Sequence, residues 1–249
     1  MGRVIEEHLP GGNTTSVVRI GDTVRRAAGP WTTTVQGYLR HLRAHGVVGI
    51  PEPFGVDDRG REIVSYLDGD VPHDTAAPGA AWLWSDGVLV EAGRFLRRLH
   101  DASVGFEPRR PAWRMPAHEP AEVICHNDVA PYNMVFRDGR LVGLIDFDTC
   151  SPGPRVWDLA YLAYRLAPFI GEDAPDLSLD DRLRRLDVLV AAYDMPFERT
   201  DVLEAMTARL DELATFTEQR ATDTGRDEFL AHVALYRADR ERIAALLTA

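Results

Sequence analysis

The stretch Ile124-Cys125-His126-Asn127-Asp128-Val129-Ala130-Pro131-Tyr132-Asn133-Met134-Val135-Phe136, followed after Arg137-Asp138-Gly139-Arg140 by Leu141-Val142-Gly143-Leu144-Ile145-Asp146-Phe147-Asp148, decides how this chain is read. Two apolar runs separated by Asp-Gly signal a two-residue β-hairpin, because both turn positions need positive φ and these residues tolerate it. With Arg137 opposite Arg140, the register predicts Met134 facing Gly143 and Asn133 facing Leu144. Asp146 then lies two residues past the partner of Asn133, at the open end of the hairpin. Strands about 4.8 Å apart that rise about 3.3 Å per residue bring these two side chains within reach of one cation or a close pair. An amide oxygen and a carboxylate suit Mg2+, a hard ion that takes oxygen ligands and shares its shell with substrate phosphates.

Asp128 enters the same hairpin from a loop broken by Pro131. A carboxylate there can accept a hydroxyl proton or orient the hydroxyl toward a transferred phosphoryl group. The spacing of His126, Asp128 and Asn133 matches the kinase pattern H-R-D-L-x-x-x-N position for position, and Asp146-Phe147 matches the start of D-F-G.

On these residues, and on Pro154-Arg155-Val156-Trp157-Asp158-Leu159-Ala160, the chain resembles the aminoglycoside phosphotransferase and choline kinase branch of the protein-kinase-like fold. The resemblance runs in order along essentially the whole chain and is weakest in the amino-terminal part. It implies an ATP site between two lobes, with Asp128 as catalytic base and Asn133 and Asp146 as magnesium ligands. It also implies that His126 braces the loop and that Asp158 is a buried structural support. Asp148 either touches metal through water or caps the turn before Ser151. The turn containing Gly11 and Gly12 stands in the place of a phosphate-covering loop, and the backbone of Ser65, Tyr66 and Leu67 in that of the adenine-binding hinge. Arg26, or Arg25 beside it, stands where the family places a phosphate-binding lysine. The helix expected over residues 35–45 has no glutamate to hold that cation, and Gln36 is its nearest polar substitute.

The flanking patterns predict an α+β bilobal architecture. A small antiparallel sheet with one helix forms an N-lobe over residues 1–67, and a larger, mainly helical C-lobe covers 68–249. Strands are expected over 15–20, 23–26, 53–56 and 62–67, with Gly21-Asp22 and Asp57 to Gly60 as turns. Thr32 to Thr34 are capping candidates, and Val35, Tyr38, Leu39 and Leu42 form a helical apolar stripe. A second stripe lies over 86–100, and the chain is helical again from Arg155 onward.

Composition narrows the function classes. A net charge of −11 over 249 residues argues against a nucleic-acid-binding protein, which needs a concentrated basic face. No apolar run approaches the ~20 residues of a membrane span, and no secretory signal is read at the start, so the expectation is a cytoplasmic protein without a membrane partner. The two cysteines, Cys125 and Cys150, are too few for a metal cluster. The 28 strongly basic residues are all arginine. The expected activity is ATP- and Mg2+-dependent phosphorylation of a small-molecule hydroxyl, with an antibiotic or natural product as acceptor. The alternatives are a Ser or Thr hydroxyl of a peptide natural product, or a catalytically retired kinase-like protein that acts in immunity or regulation.

Overall fold

Five short strands pair antiparallel in the order β1-β2-β3-β5-β4: β1 (Glu7–His8), β2 (Val18–Ile20), β3 (Thr23–Ala27), β4 (Pro53–Val56) and β5 (Arg61–Ser65). The computed structural model describes residues 6–9, 17–75, 77–171 and 175–248. Thr15 at the start of the first predicted strand, and Gly11 and Gly12 of the predicted phosphate-covering turn, lie outside them. β2 turns into β3 through Gly21, whose φ of 58° lies in the left-handed region that glycine favours. β3 also pairs with β5, which sets Arg26 directly opposite Glu62 and therefore on the same face of the sheet.

Helix α1 (Thr32–Ala44) buries Val35, Tyr38, Leu39 and Leu42, the predicted stripe. Its threonines do not cap it. Trp31 occupies the cap position, Thr32 Oγ1 accepts from Gly29 N at 2.9 Å, and Thr34 Oγ1 accepts from Ala112 N at 3.0 Å. β5 ends two residues before the predicted limit of Leu67, because its partner β3 begins at Thr23 and the ladder has no further rung. The next amide, Tyr66 N, instead donates to Asp22 O in the turn at 2.8 Å.

After α2 (Asp86–Ser103) come β6 (Val123–Cys125), β7 (Met134–Arg137), β8 (Arg140–Leu144) and β9 (Ser151–Gly153). β7 and β8 form the predicted hairpin around Asp138 and Gly139, both at positive φ, with Arg137 opposite Arg140. The register then departs from the prediction. Val135, not Met134, faces Gly143, and Met134 faces Leu144, because a bulge places one extra residue in β8. The bulge lets Gly143 meet another backbone: Leu144 N donates to Gly49 O at 2.8 Å, and a Cβ on Gly143 would sit 2.7 Å from that oxygen. Asn133 O consequently accepts from Ile145 N at 2.9 Å, so Asp146 is the very next residue rather than two past the partner.

The chain divides into two units. Among the described residues, the unit of Met1–His73 with Arg98–Pro154 holds all nine strands, and the unit of Asp74–Arg97 with Arg155–Ala249 is helical. The helical unit contains α3 (Arg155–Leu166), α4 (Leu179–Tyr193), α5 (Arg199–Thr224) and α6 (Phe229–Leu246). Its termini follow local chemistry: Ser178 caps α4, Glu198 and Asp201 form a capping box on α5, and Gly225 ends α5 at positive φ. The sheet-bearing amino-terminal region and the mostly helical carboxy-terminal part form a protein-kinase-like fold. Among the described residues no helix is long and apolar enough to cross a membrane.

Candidate active site

The loop between β6 and β7 is held by its own polar residues. Asn127 sits at φ 65°, and its amide donates to Thr149 O and Ser151 Oγ, each at 2.8 Å. Thr149 Oγ1 returns a bond to His126 O at 2.8 Å. His126 is fully buried; its Nε2 donates to Ile145 O at 3.0 Å while Nδ1 accepts from Asp128 N at 3.3 Å. This histidine therefore ties the start of the loop to the segment that carries Asp146. Phe147 packs edge-on against its ring at 4.7 Å.

Asp128 projects from this scaffold with both carboxylate oxygens engaged. Tyr132 Oη donates to Oδ1 at 2.6 Å, and Asn133 Nδ2 donates to Oδ2 at 2.9 Å and also to Asp128 O. Burial raises the Asp128 carboxyl above its ordinary value, outweighing the Tyr132 bond that opposes it. Because the Asn133 amide nitrogen is committed to Asp128, its oxygen is the atom that remains for a cation.

Asp146 and Asp148 converge on Arg26. The guanidinium donates to Asp146 Oδ1 through Nη1 at 2.5 Å, to Asp148 Oδ1 through Nη2 at 2.6 Å, and to Glu62 Oε1 through Nε. The two candidate positions for the phosphate-binding cation are thereby separated: Arg25 turns away, bonding Thr23 Oγ1 and lying 3.9 Å from Asp57. Strand alternation puts adjacent side chains on opposite faces, so only one of the two can reach the carboxylates. Asp146 adopts φ 62° and its side chain stays 46% exposed, which leaves the carboxylate approachable. Burial works against its charge, but Arg26 holds the carboxyl below its ordinary value. Asp148 is more enclosed, and burial pushes it up to about 6 despite Arg26. Arg114, stacked 4.8 Å over the Trp31 ring, places Nη1 3.8 Å from Asp148.

The other predicted residues divide. Gln36 is buried, but its Nε2 donates to Gly55 O at 2.9 Å and its Oε1 accepts from Arg40 at 3.4 Å, so it does not hold Arg26. In the predicted hinge, Ser65 N donates to Glu52 O and Tyr66 N to Asp22 O, both at 2.8 Å. Of the three hinge amides, Leu67 N is the one left for a ligand among the described residues. Asp158 is fully buried near the start of α3. Sequence reasoning missed Glu62, Tyr132 and Arg114. Glu62 had a readable signal in a charged residue inside a strand, but identifying its partner requires the β3–β5 pairing across an intervening helix and strand.

Together these features make up one candidate site: a braced loop carboxylate, an amide beside it, and two further carboxylates facing a cation. The chain belongs to the phosphotransferase enzyme family, whose model matches residues 107–194, spanning the site loop and hairpin. It is 33% identical over 230 residues, 88% of this chain and 83% of its relative, to the trifolitoxin immunity protein of Rhizobium leguminosarum bv. trifolii. Among solved structures it is similar in fold to a choline/ethanolamine kinase family protein from Mesorhizobium loti, with a TM-score of 0.63 at 19% identity, covering 98% of this chain and 88% of that one. It is also similar to an amicoumacin kinase in complex with AMP-PNP, Ca2+ and Ami, with a TM-score of 0.69 at 12% identity, covering 95% and 88%.

Proposed function

We propose that this phosphotransferase moves the γ-phosphoryl group of ATP, with Mg2+, to a hydroxyl of a small natural product or antibiotic. The observation that carries the reading is the placement of Asp128: a partly buried carboxylate of raised pKa, oriented by Tyr132 and Asn133, on a loop that His126 ties to the Asp146 segment. A carboxylate so placed accepts the acceptor hydroxyl proton and directs its oxygen toward the phosphoryl group. The residues present fit a metal-nucleotide, since three carboxylates meet around one guanidinium and the Asn133 amide oxygen adds a neutral ligand. Asp146 and Asn133 would hold the ion, with Asp148 acting directly or through water, and the bound nucleotide supplies the phosphoryl group and its leaving group. Arg26 would offer a forked donor to the phosphates, and Leu67 N would be the hinge amide free to donate to the adenine. His126 supports this machinery without touching the reacting atoms.

The AMP-PNP and Ca2+ in the amicoumacin kinase complex support a nucleotide and a divalent cation as cofactors, and that kinase's action on amicoumacin supports a small-molecule acceptor. The immunity-protein relative supports a role in protection against a toxic natural product. A screen of natural products and antibiotics by mass spectrometry tests the reading. A phosphate added only with ATP and only by protein with Asp128 intact supports it, and acceptor phosphorylation undiminished in Asp128→Ala contradicts the assigned base.

One observation favours a second reading, that of an immunity protein that binds nucleotide without turnover. Arg26 stands in place of lysine and pairs with both Asp146 and Asp148. Nucleotide binding with no transfer to any acceptor and no slow hydrolysis would select that reading.

A further inference from the structure

Buried carboxylates in a sheet are costly unless a cation meets them. Glu62 lies on β5 with its side chain only 2% exposed, and Arg26 Nε is bonded to it. The two residues are direct cross-strand partners, so the backbone ladder itself fixes their approach. A guanidinium is a rigid planar fork, and gripping it at Nε orients its Nη nitrogens. Those nitrogens meet Asp146 and Asp148. Gln36, the polar residue of helix α1 nearest in role, is bonded to Gly55 and Arg40 instead of Arg26.

We propose that Glu62 is a positioning residue for the metal-nucleotide site: it holds the Arg26 guanidinium in the orientation that meets the phosphates, and does so from within the sheet rather than from a helix. This rests on the proposed reading of the site as one that binds a metal-nucleotide. Both members of the pair belong to adjacent hydrogen-bonded strands, so the orientation of Arg26 does not depend on where α1 sits. Nucleotide affinity is then insensitive to changes at Gln36 and sensitive to the charge at Glu62.

Calorimetric titration of Mg2+ and AMP-PNP into the full chain tests this. Glu62→Gln keeps the size and removes the charge, and is expected to weaken nucleotide binding about tenfold or more, as loss of an orienting partner does elsewhere. Arg26→Met should weaken it at least as much. The double variant should bind no worse than Arg26→Met alone, since a positioning residue acts only through the group it positions. Gln36→Ala should bind as wild type does. Wild-type affinity in Glu62→Gln, or an additive loss in the double variant, overturns the proposal while leaving the functional reading in place. Absence of nucleotide binding by the wild-type protein overturns both. Where Glu62→Gln shows no cooperative melting, the Arg26 Nε–H resonance of the wild-type protein decides: protection from solvent exchange with and without nucleotide is expected, and rapid exchange in either state overturns the pairing.

Discussion

Two charge clusters, one in each unit and each built on a buried carboxylate, have opposite balances. In the helical unit, Asp239 is fully buried; Tyr164 Oη and Gly171 N donate to its Oδ2 at 2.6 and 3.0 Å, and Arg242 lies 2.5 Å from Oδ1. One carboxylate meets one guanidinium and two neutral donors, and the charges cancel. In the sheet-bearing unit, one guanidinium, Arg26, faces Glu62, Asp146 and Asp148, with Arg114 only at the margin. The second cluster is short of positive charge. A balanced buried cluster is a structural fastening, whereas one with surplus carboxylates is stabilised by an added cation, and it is the latter that the site loop adjoins.

Removing the cation should break the unbalanced cluster most severely. Arg26→Ala leaves Glu62 buried beside two other carboxylates, and a stability loss of about 3–5 kcal/mol is expected in urea unfolding. Millimolar Mg2+ should recover part of it. The equivalent cut in the balanced cluster, Arg242→Ala, should show no recovery by Mg2+, and recovery there would erase the distinction between the two clusters. Asp239→Asn should cost about 1–3 kcal/mol through weakened bonds to Tyr164 and Gly171 while leaving nucleotide affinity unchanged. The smallest effect concerns pH. Burial raises the Asp148 carboxyl from 3.8 to about 6, so between those values the folded chain keeps a proton that the unfolded chain has released. Stability of the metal-free protein from this group therefore falls as pH rises through that window and is level above it. Asp148→Asn should flatten that slope in thermal melts taken across pH 4 to 6.5, and an unchanged slope would assign it to another group.

What the sequence disclosed follows the distance over which each feature is encoded. The loop from His126 to Asn133 is one continuous run, and the Asp138-Gly139 turn fixes the following hairpin locally, so the hairpin was readable and the loop could be singled out as a candidate. The register beyond Phe136 was not, because the bulge in β8 answers to Gly49, a backbone far earlier in the chain. The apolar and β-branched run through Leu67 suggested a longer strand than β5, yet strand length is set by where β3 stops offering partners. Arg26 and Glu62 were legible as charged strand residues, but their pairing needs a sheet order in which β5 inserts between β3 and β4. Gly11 and Gly12 lie outside the described residues, and the roles of Ser65 and Tyr66 as ligand donors give way to internal bonds with Glu52 and Asp22.

Slow hydrolysis of Mg-ATP without acceptor, measured beside equilibrium nucleotide binding in wild type, Asp128→Ala and Asp146→Ala, tests the central claim most directly. The expected pattern is turnover in wild type, retained binding with hydrolysis reduced about 10²–10⁴-fold in Asp128→Ala, and weakened metal-nucleotide binding in Asp146→Ala. Equal hydrolysis by wild type and Asp128→Ala, or nucleotide affinity indifferent to Asp146, would contradict the account.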